Sequence, residues 1–176
     1  YDPSLLSGRG FSQNFVTIQS DSLKPLFNRP LQAMYPPGSM FKTIQGLIAL
    51  EQDKVQADEI ITVNSKLIGD HAPLGKYDME RAITKSSNNY FFKIFRRVIQ
   101  QGELPSPFID TRMGYNKWRE YVLQFGFGKI LDIDLPNEKA GFVPSLEFYD
   151  KIYGKERWKF SNIYSFLGIC NICFFF

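Results

Sequence analysis

The chain has 176 residues, which is enough for one domain with its own hydrophobic core. Hydrophobic residues make up 44% of it and charged residues 22%, values that exclude a disordered, collagenous or coiled-coil chain. The formal net charge is +3 and neither sign forms a long run, so nucleic acid is not expected as a partner.

The first third of the sequence predicts an extended path that leads into one helix. Residues 1–14 have little apolar periodicity and predict a loop, and residues 15–18 predict a short strand. Four prolines and a glycine exclude a long helix between residues 21 and 38. A helix is predicted over residues 40–51, with Gly46 packed closely against a neighbour. Its predicted buried face is formed by Met40, Phe41, Ile44, Leu47, Ile48 and Leu50.

The middle of the sequence predicts a strand, a loop and two helices separated by a polar break. Residues 60–63 predict the strand and residues 69–75 the loop, and Asp78 is a suitable N-cap for a short helix. The polar residues 86–89 interrupt the helical pattern, because their side chains compete with the backbone for hydrogen bonds. The apolar face predicted for the second helix is formed by Tyr90, Phe91, Ile94, Phe95, Val98 and Ile99.

The last third predicts another amphipathic helix, which begins after Pro107 and ends at Gly126. Residues 130–135 alternate partly in hydropathy and predict a strand, and residues 145–153 predict a helix or loop. The apolar face of the amphipathic helix is predicted to include Trp118, Tyr121, Val122 and Phe125.

Ser39 opens the first long helix, and Lys42 follows one turn later. Residues three apart share a helix face, so the Lys42 amine can reach the Ser39 hydroxyl beside the partial positive charge of the helix N-terminus. A serine becomes a nucleophile when a base lies close by, and a lysine serves as that base when an apolar pocket lowers its pKa. Met40, Phe41 and Ile44 are suitable walls. Since Ser-x-x-Lys occurs about once by chance in such a chain, an N-cap serine with a solvated lysine stays open.

The polar break offers hydroxyl and amide groups that could complete such a site. A second serine close to the first can relay a proton to a leaving group, and an asparagine can bind an amide substrate and hold the lysine. Ordinary N-capping by Ser87, Asn88 or Asn89 is the alternative.

Other catalytic chemistries have few residues to draw on. The single histidine, His71, lies in a Gly/Pro-rich loop and is expected to be a surface residue, and the two cysteines are Cys170 and Cys173. A zinc site therefore lacks its usual ligands, and Ser/His/Asp catalysis would depend on His71 alone.

Together, in this order, the two polar motifs resemble the penicillin-binding proteins and serine β-lactamases, whose signature is Ser-x-x-Lys, Ser-x-Asn and Lys-Thr-Gly. Over about residues 1–165 the chain is similar to class B penicillin-binding proteins of the cell-elongation type, the penicillin-binding protein 2 family. The segments that carry this similarity are Ser7-Gly-Arg-Gly10, Phe27-Asn28-Arg29, Tyr35-Pro-Pro-Gly-Ser39, His71-Ala-Pro, Lys85-Ser-Ser-Asn88, Tyr90-Phe91 and Phe125-Gly-Phe-Gly128 with Ile133-Asp-Leu-Pro136 and Glu138.

The resemblance implies an α+β chain, the helical part of the serine β-lactamase and D,D-peptidase fold with most of the central sheet missing. It implies a peptidoglycan D,D-transpeptidase that acts through a serine acyl-enzyme on D-Ala-D-Ala stem peptides, is a target of β-lactams and needs no metal or organic cofactor. Ser39 would be the acylated nucleophile and Lys42 its general base. Ser86 would pass a proton to the leaving group, and Asn88 would bind the substrate amide and orient Lys42.

The resemblance also implies a setting, the periplasmic face of the inner membrane, with the cell-elongation machinery as partner. The family's membrane anchor and non-catalytic domain are expected to lie outside this chain, in which no apolar stretch approaches the about 20 residues of a membrane helix.

The sequence departs from the family near its end. Neither Lys-Thr-Gly nor Lys-Ser-Gly occurs in it, although the family draws its second oxyanion donor from the strand with this motif. We therefore expect residues 1–165 to be a partial transpeptidase domain with slow residual acylation, and residues 166–176 to be an aberrant apolar tail produced by a frameshift. A non-catalytic remnant or interaction module is the alternative function, and a β-lactamase or β-lactam sensor is a third.

Overall fold

The computed structural model describes residues 2–33, 35–155, 157–161 and 163. Helices dominate this part of the chain, and one small antiparallel sheet accompanies them. The elements are α1 Phe11–Ser20, α2 Arg29–Gln32, α3 Phe41–Glu51, β1 Ile61–Val63, β2 Gly75–Tyr77, α4 Met79–Thr84, α5 Asn88–Ile99, α6 Pro107–Gln124 and α7 Leu146–Tyr153. Short 3₁₀ turns at Pro3–Leu6 and Gly38–Met40 precede α1 and α3.

Helices α3, α5 and α6 pack together around a cluster of buried aromatic rings. The Trp118 ring of α6 meets Phe95 of α5 edge to face at a centroid distance of 5.3 Å and Phe41 of α3 at 6.1 Å. All six residues of the predicted apolar face of α5 are buried, which confirms that prediction. This core holds the first turns of α3 and α5 in fixed positions.

Helices α5 and α6 approach each other most closely at Gly114. A Cβ atom at this position would lie 2.2 Å from the carbonyl oxygen of Ile99, a backbone atom at the end of α5. A side chain larger than hydrogen is therefore incompatible with this packing. Gly46 of α3 is a milder case, since its Cβ would lie 3.1 Å from the Met79 sulfur, and the predicted close packing there is confirmed.

The predicted buried face of α3 is only partly correct. Phe41 and Ile48 are buried, but Met40 is 72% exposed and Leu47 52% exposed. The interior face instead includes Gln45, whose Oε1 accepts a 2.8 Å hydrogen bond from the indole N–H of Trp118. Polar partners inside the core make burial of this polar residue possible, and apolar periodicity alone does not reveal them.

The small sheet pairs β1 with β2 in the register Ile61 to Tyr77, Thr62 to Lys76 and Val63 to Gly75. The strand predicted over residues 60–63 is confirmed. The loop predicted over residues 69–75 continues into β2, a strand of three residues that is too short to show an alternating pattern.

Two predicted strands are wrong. Residues 15–18 belong to α1, where the rings of Phe11 and Phe15, one helical turn apart, lie tilted to each other at a centroid distance of 5.7 Å. Residues 130–135 form no strand. There the Glu138 carboxylate accepts hydrogen bonds from the backbone N–H groups of Leu131 and Ile133, at 2.8 and 3.4 Å, and so takes the place of a neighbouring strand.

The N-cap predicted at Asp78 is confirmed. Asp78 accepts a 2.8 Å hydrogen bond from the Arg81 N–H and caps α4.

Within the described ranges, no helix is both long enough and apolar enough to cross a bilayer. The tail predicted over residues 166–176, with Cys170 and Cys173, lies outside the described residues.

Candidate active site

The first component of the site is the start of α3. Gly38, whose φ of 58° is in the left-handed region, turns the chain after Pro37 into the 3₁₀ turn that carries Ser39. Ser39 is exposed at this turn, whereas Lys42, in the first turn of α3, is only 3% exposed. A solvent-accessible hydroxyl therefore lies above a buried amine, and the alternative of a solvated lysine is wrong.

The second component is the break between α4 and α5. Two hydrogen bonds of 2.9 Å close the end of α4, from the Ser87 N–H to the Ala82 carbonyl and from the Ser86 N–H to the Ile83 carbonyl. This is a Schellman turn, in which Ser86 occupies the left-handed position with a φ of 51°. Ser87 then caps α5 by accepting a hydrogen bond from the Tyr90 N–H, so N-capping is confirmed for Ser87.

A continuous chain of hydrogen bonds joins the two components. The Lys42 amine donates to the Ser86 carbonyl oxygen at 2.6 Å, to Ser86 Oγ at 2.8 Å and to Asn88 Oδ1 at 2.6 Å. Ser86 Oγ in turn lies 3.1 Å from Ser39 Oγ. The structure thus brings all four predicted site residues together, with the Ser86 hydroxyl linking the amine to Ser39.

The walls around the amine differ from the prediction. Phe91 of α5 places its ring 5.8 Å from Lys42 Nζ, a distance suited to a cation–π contact. Phe41 is buried as expected, but the exposed Met40 is not a wall of the pocket. A residue of α5, Phe91, therefore takes part in shielding the amine, which the prediction from α3 alone did not include.

Asn88 lies behind the amine, 8% exposed. Its Nδ2 donates a 2.8 Å hydrogen bond to the Gly69 carbonyl, while its Oδ1 accepts from Lys42. The orienting contact predicted between Asn88 and Lys42 is therefore present, and substrate binding by Asn88 stays a prediction.

Sequence reasoning missed Asp70, which joins the loop over residues 67–72 to the start of α5. Its Oδ2 accepts hydrogen bonds from Ser87 Oγ at 3.1 Å, the Asn89 N–H at 2.8 Å and Asn89 Nδ2 at 2.9 Å. Partial burial opposes ionisation, but these bonds and the one from the Ala72 N–H outweigh it and lower the pKa of Asp70 to about 2. The only sequence signal was local, an Asx turn onto Ala72.

His71 is exposed, in agreement with its predicted surface position. The described residues contain no cluster of three or more His, Cys, Asp or Glu side chains that could hold a metal ion.

Comparison with known proteins decides the family. The family model for the penicillin-binding protein transpeptidase domain matches residues 2–163. The chain belongs to this family. A curated relative, the peptidoglycan D,D-transpeptidase MrdA of Haemophilus influenzae, is 25% identical over 174 residues, which cover 90% of this chain and 23% of MrdA. The chain thus spans about a quarter of the length of the curated relatives it matches.

Solved penicillin-binding proteins share its architecture. PBP2 of Pseudomonas aeruginosa matches with a TM-score of 0.70 and 23% identity, over 100% of this chain and 38% of that one. PBP2 of Helicobacter pylori, in a complex with MreC, matches with a TM-score of 0.67 and 25% identity, over 93% of this chain and 29% of that one. The predicted fold class, the helical part of the transpeptidase fold, is confirmed.

Proposed function

We propose that this chain carries the nucleophile half of a peptidoglycan D,D-transpeptidase site, which acts through a serine acyl-enzyme on D-Ala-D-Ala stem peptides. The observation that supports this proposal is the chain of hydrogen bonds that runs from exposed Ser39 through the Ser86 hydroxyl to the buried Lys42 amine. A hydroxyl can donate and accept at once, so this chain provides a path for a proton away from Ser39.

The first step is attack of Ser39 Oγ on the carbonyl carbon between the two D-alanines, or on the ring amide of a β-lactam. For this step Lys42 has to be the free amine with its lone pair on Ser86 Oγ, so that the hydroxyl proton of Ser39 passes through Ser86 to Lys42 as the C–O bond forms and the carbonyl oxygen becomes an oxyanion. The Ser39 backbone N–H, at the start of the helix, is one donor for that oxyanion. Ser86 then delivers the proton to the leaving nitrogen as the C–N bond breaks and D-alanine departs.

The second step regenerates the serine. An amine of a neighbouring stem peptide attacks the ester carbonyl, and the amide bond of the cross-link forms as the ester C–O bond to Ser39 breaks. The proton that the amine loses returns through the Ser86 hydroxyl to the Ser39 oxygen. Asn88 assists both steps by holding the amine of Lys42 and by binding the substrate amide.

The 176 residues contain no Lys-Thr-Gly, and we propose that acylation by this chain alone is slow for that reason. A missing oxyanion donor costs about 3 to 4 kcal/mol of transition-state stabilisation.

We further propose that residues 166–176 are frameshifted. Translation of the encoding DNA in the other frames after the codon for Ser165 tests this, because family-like sequence should resume in one of them.

The setting proposed is the periplasmic face of the inner membrane, in contact with the cell-elongation machinery. The complex of Helicobacter pylori PBP2 with MreC supports the partner part of this proposal.

Fluorescent penicillin labelling of the folded chain tests the function. Covalent labelling that is lost in Ser39→Ala and kept in Ser65→Ala, an exposed serine of a loop, supports the transpeptidase site. An unlabelled folded chain would instead indicate an interaction module without chemistry, and rapid release of hydrolysed drug would indicate a β-lactamase.

A further inference from the structure

A cluster of hydrogen bonds fastens the loop over residues 67–72 to the first turn of α5, directly behind the site. One Asp70 oxygen accepts from Ser87 Oγ and from both the backbone and the side chain of Asn89, and the other accepts from the Ala72 N–H at 3.0 Å. The side-chain oxygen of Asn89, Oδ1, in turn accepts a 2.7 Å hydrogen bond from the Leu67 N–H. The loop has therefore one defined position on α5.

This position determines where the Gly69 carbonyl lies. Gly69 directly precedes Asp70, and its oxygen accepts the 2.8 Å hydrogen bond from Asn88 Nδ2. An amide group has its donor and acceptor on opposite sides, so a bond that holds Nδ2 on Gly69 directs Oδ1 towards the Lys42 amine. A reversed Asn88 amide would place N–H groups against that amine, which is itself a donor.

We propose that Asp70 is a positioning residue of the site, which fixes the loop so that Gly69 holds Asn88 in the orientation that binds Lys42. The effect of Asp70 on acylation rests on the proposed function, but its effect on Asn88 does not. Asp70 acts on the site through Gly69 and Asn88. The partial positive charge at the N-terminus of α5 favours the negative charge of the Asp70 carboxylate at this position.

The sharpest variant is Asp70→Asn, which keeps the size of the side chain. All the groups that Asp70 contacts at α5 are donors, namely the Ser87 hydroxyl and two N–H groups of Asn89. An asparagine offers one acceptor oxygen in place of two and faces the remaining donors with its own N–H groups. Asp78→Asn is the matched control, because Asp78 is also a capping aspartate but serves α4.

The first readout is the pair of side-chain amide resonances of Asn88 in the ¹⁵N-labelled chain, assigned by their loss in Asn88→Ala. We expect the pair to move in Asp70→Asn and to keep its place in Asp78→Asn. Asp70→Glu, in which the carboxylate lies one methylene further out, is also expected to move it and provides the test if Asp70→Asn does not fold. Unchanged Asn88 resonances in a folded Asp70 variant would overturn the proposal.

The second readout is acylation by a β-lactam, separated into the dissociation constant of the noncovalent complex and the rate constant of the covalent step. In Asp70→Asn the rate constant is expected to fall about ten- to hundredfold, because small displacements of catalytic groups have effects of this size. The dissociation constant is expected to stay within about twofold. An equal fall of the acylation rate constant in Asp78→Asn would overturn the proposal for Asp70. A wild-type chain that is never acylated would refute the proposed function, and the Asn88 resonances would then decide the proposal for Asp70.

Discussion

Lys42 and Asn88 are joined by a 2.6 Å hydrogen bond from Nζ to Oδ1, although 46 positions separate them in the sequence. The bond connects the first turn of α3 to the first turn of α5, and the buried core between these helices keeps both turns in place. Every property proposed for the site depends on this junction, because it directs the amine towards the Ser86 hydroxyl.

Removal of the amine tests the junction. Lys42→Met keeps the length of the side chain but leaves Asn88 Oδ1 without this donor. We expect acylation to fall at least about hundredfold, the lower limit for loss of a general base. Stopped-flow or gel-based acylation rates measure this, with Lys85→Met at the exposed end of α4 as control. Comparable rates in Lys42→Met and wild type would contradict the assignment of Lys42 as the base.

Ser86 combines a strained backbone with a functional hydroxyl. Its φ of 51° is unfavourable for any residue with a Cβ atom, by about 1 kcal/mol relative to glycine. Ser86→Gly and Ser86→Ala both remove the hydroxyl and should both lose acylation. The glycine variant is expected to be about 1 kcal/mol more stable than the alanine variant in urea unfolding. An alanine variant that is equally stable would show that the turn is not strained.

Gly114 is a position of the helical core where a side chain larger than hydrogen does not fit. Gly114→Ala would place a methyl group against the Ile99 carbonyl and is expected to destabilise the chain by about 1 to 3 kcal/mol. Met113→Ala, at a 60% exposed position on the same helix, should change stability by less than about 0.5 kcal/mol. Thermal or urea unfolding measures both variants, and equal stability of the two would contradict the close approach of α5 and α6.

Stability should depend on pH through Asp70. Its pKa is about 2 in the folded chain, below the ordinary value of 3.8, so folding favours the ionised form. The stabilisation is complete above about pH 4 and is lost as the pH falls towards about pH 2. The difference in unfolding free energy between wild type and Asp70→Asn should therefore shrink across this range. A difference that stays constant down to about pH 2 would contradict the low pKa.

Local sequence patterns predicted the features that depend on neighbours in the chain. The buried face of α5 followed from apolar residues spaced at helical intervals, and the start of α3 followed from the prolines and glycine before it. Ser39 and Lys42 could be singled out because their spacing is a property of one helix. The polar break suggested a serine and an asparagine that could complete the site, but the assignment of Ser86 and Asn88 as the partners of Lys42 came from the resemblance to a family.

The features that were missed depend on partners far away in the chain. Burial of Gln45 requires the Trp118 indole, the close approach at Gly114 requires the end of α5, and the role of Asp70 requires the first turn of α5. The strand predicted at residues 130–135 is wrong for a related reason. Hydropathy alternates partly there, as in a strand, but the backbone N–H groups of Leu131 and Ile133 donate to the Glu138 carboxylate and not to a neighbouring strand. Such partners are set by tertiary packing, which a linear pattern does not contain.

The most direct measurement for the site as a whole is peptide mapping by mass spectrometry after the folded chain has reacted with a β-lactam. We expect one ester adduct, on the peptide that contains Ser39, whose formation slows in Lys42→Met and which is absent in Ser39→Ala. An adduct on a different residue, or a folded chain that gains no adduct after prolonged exposure, would contradict the assignment of Ser39 as the nucleophile.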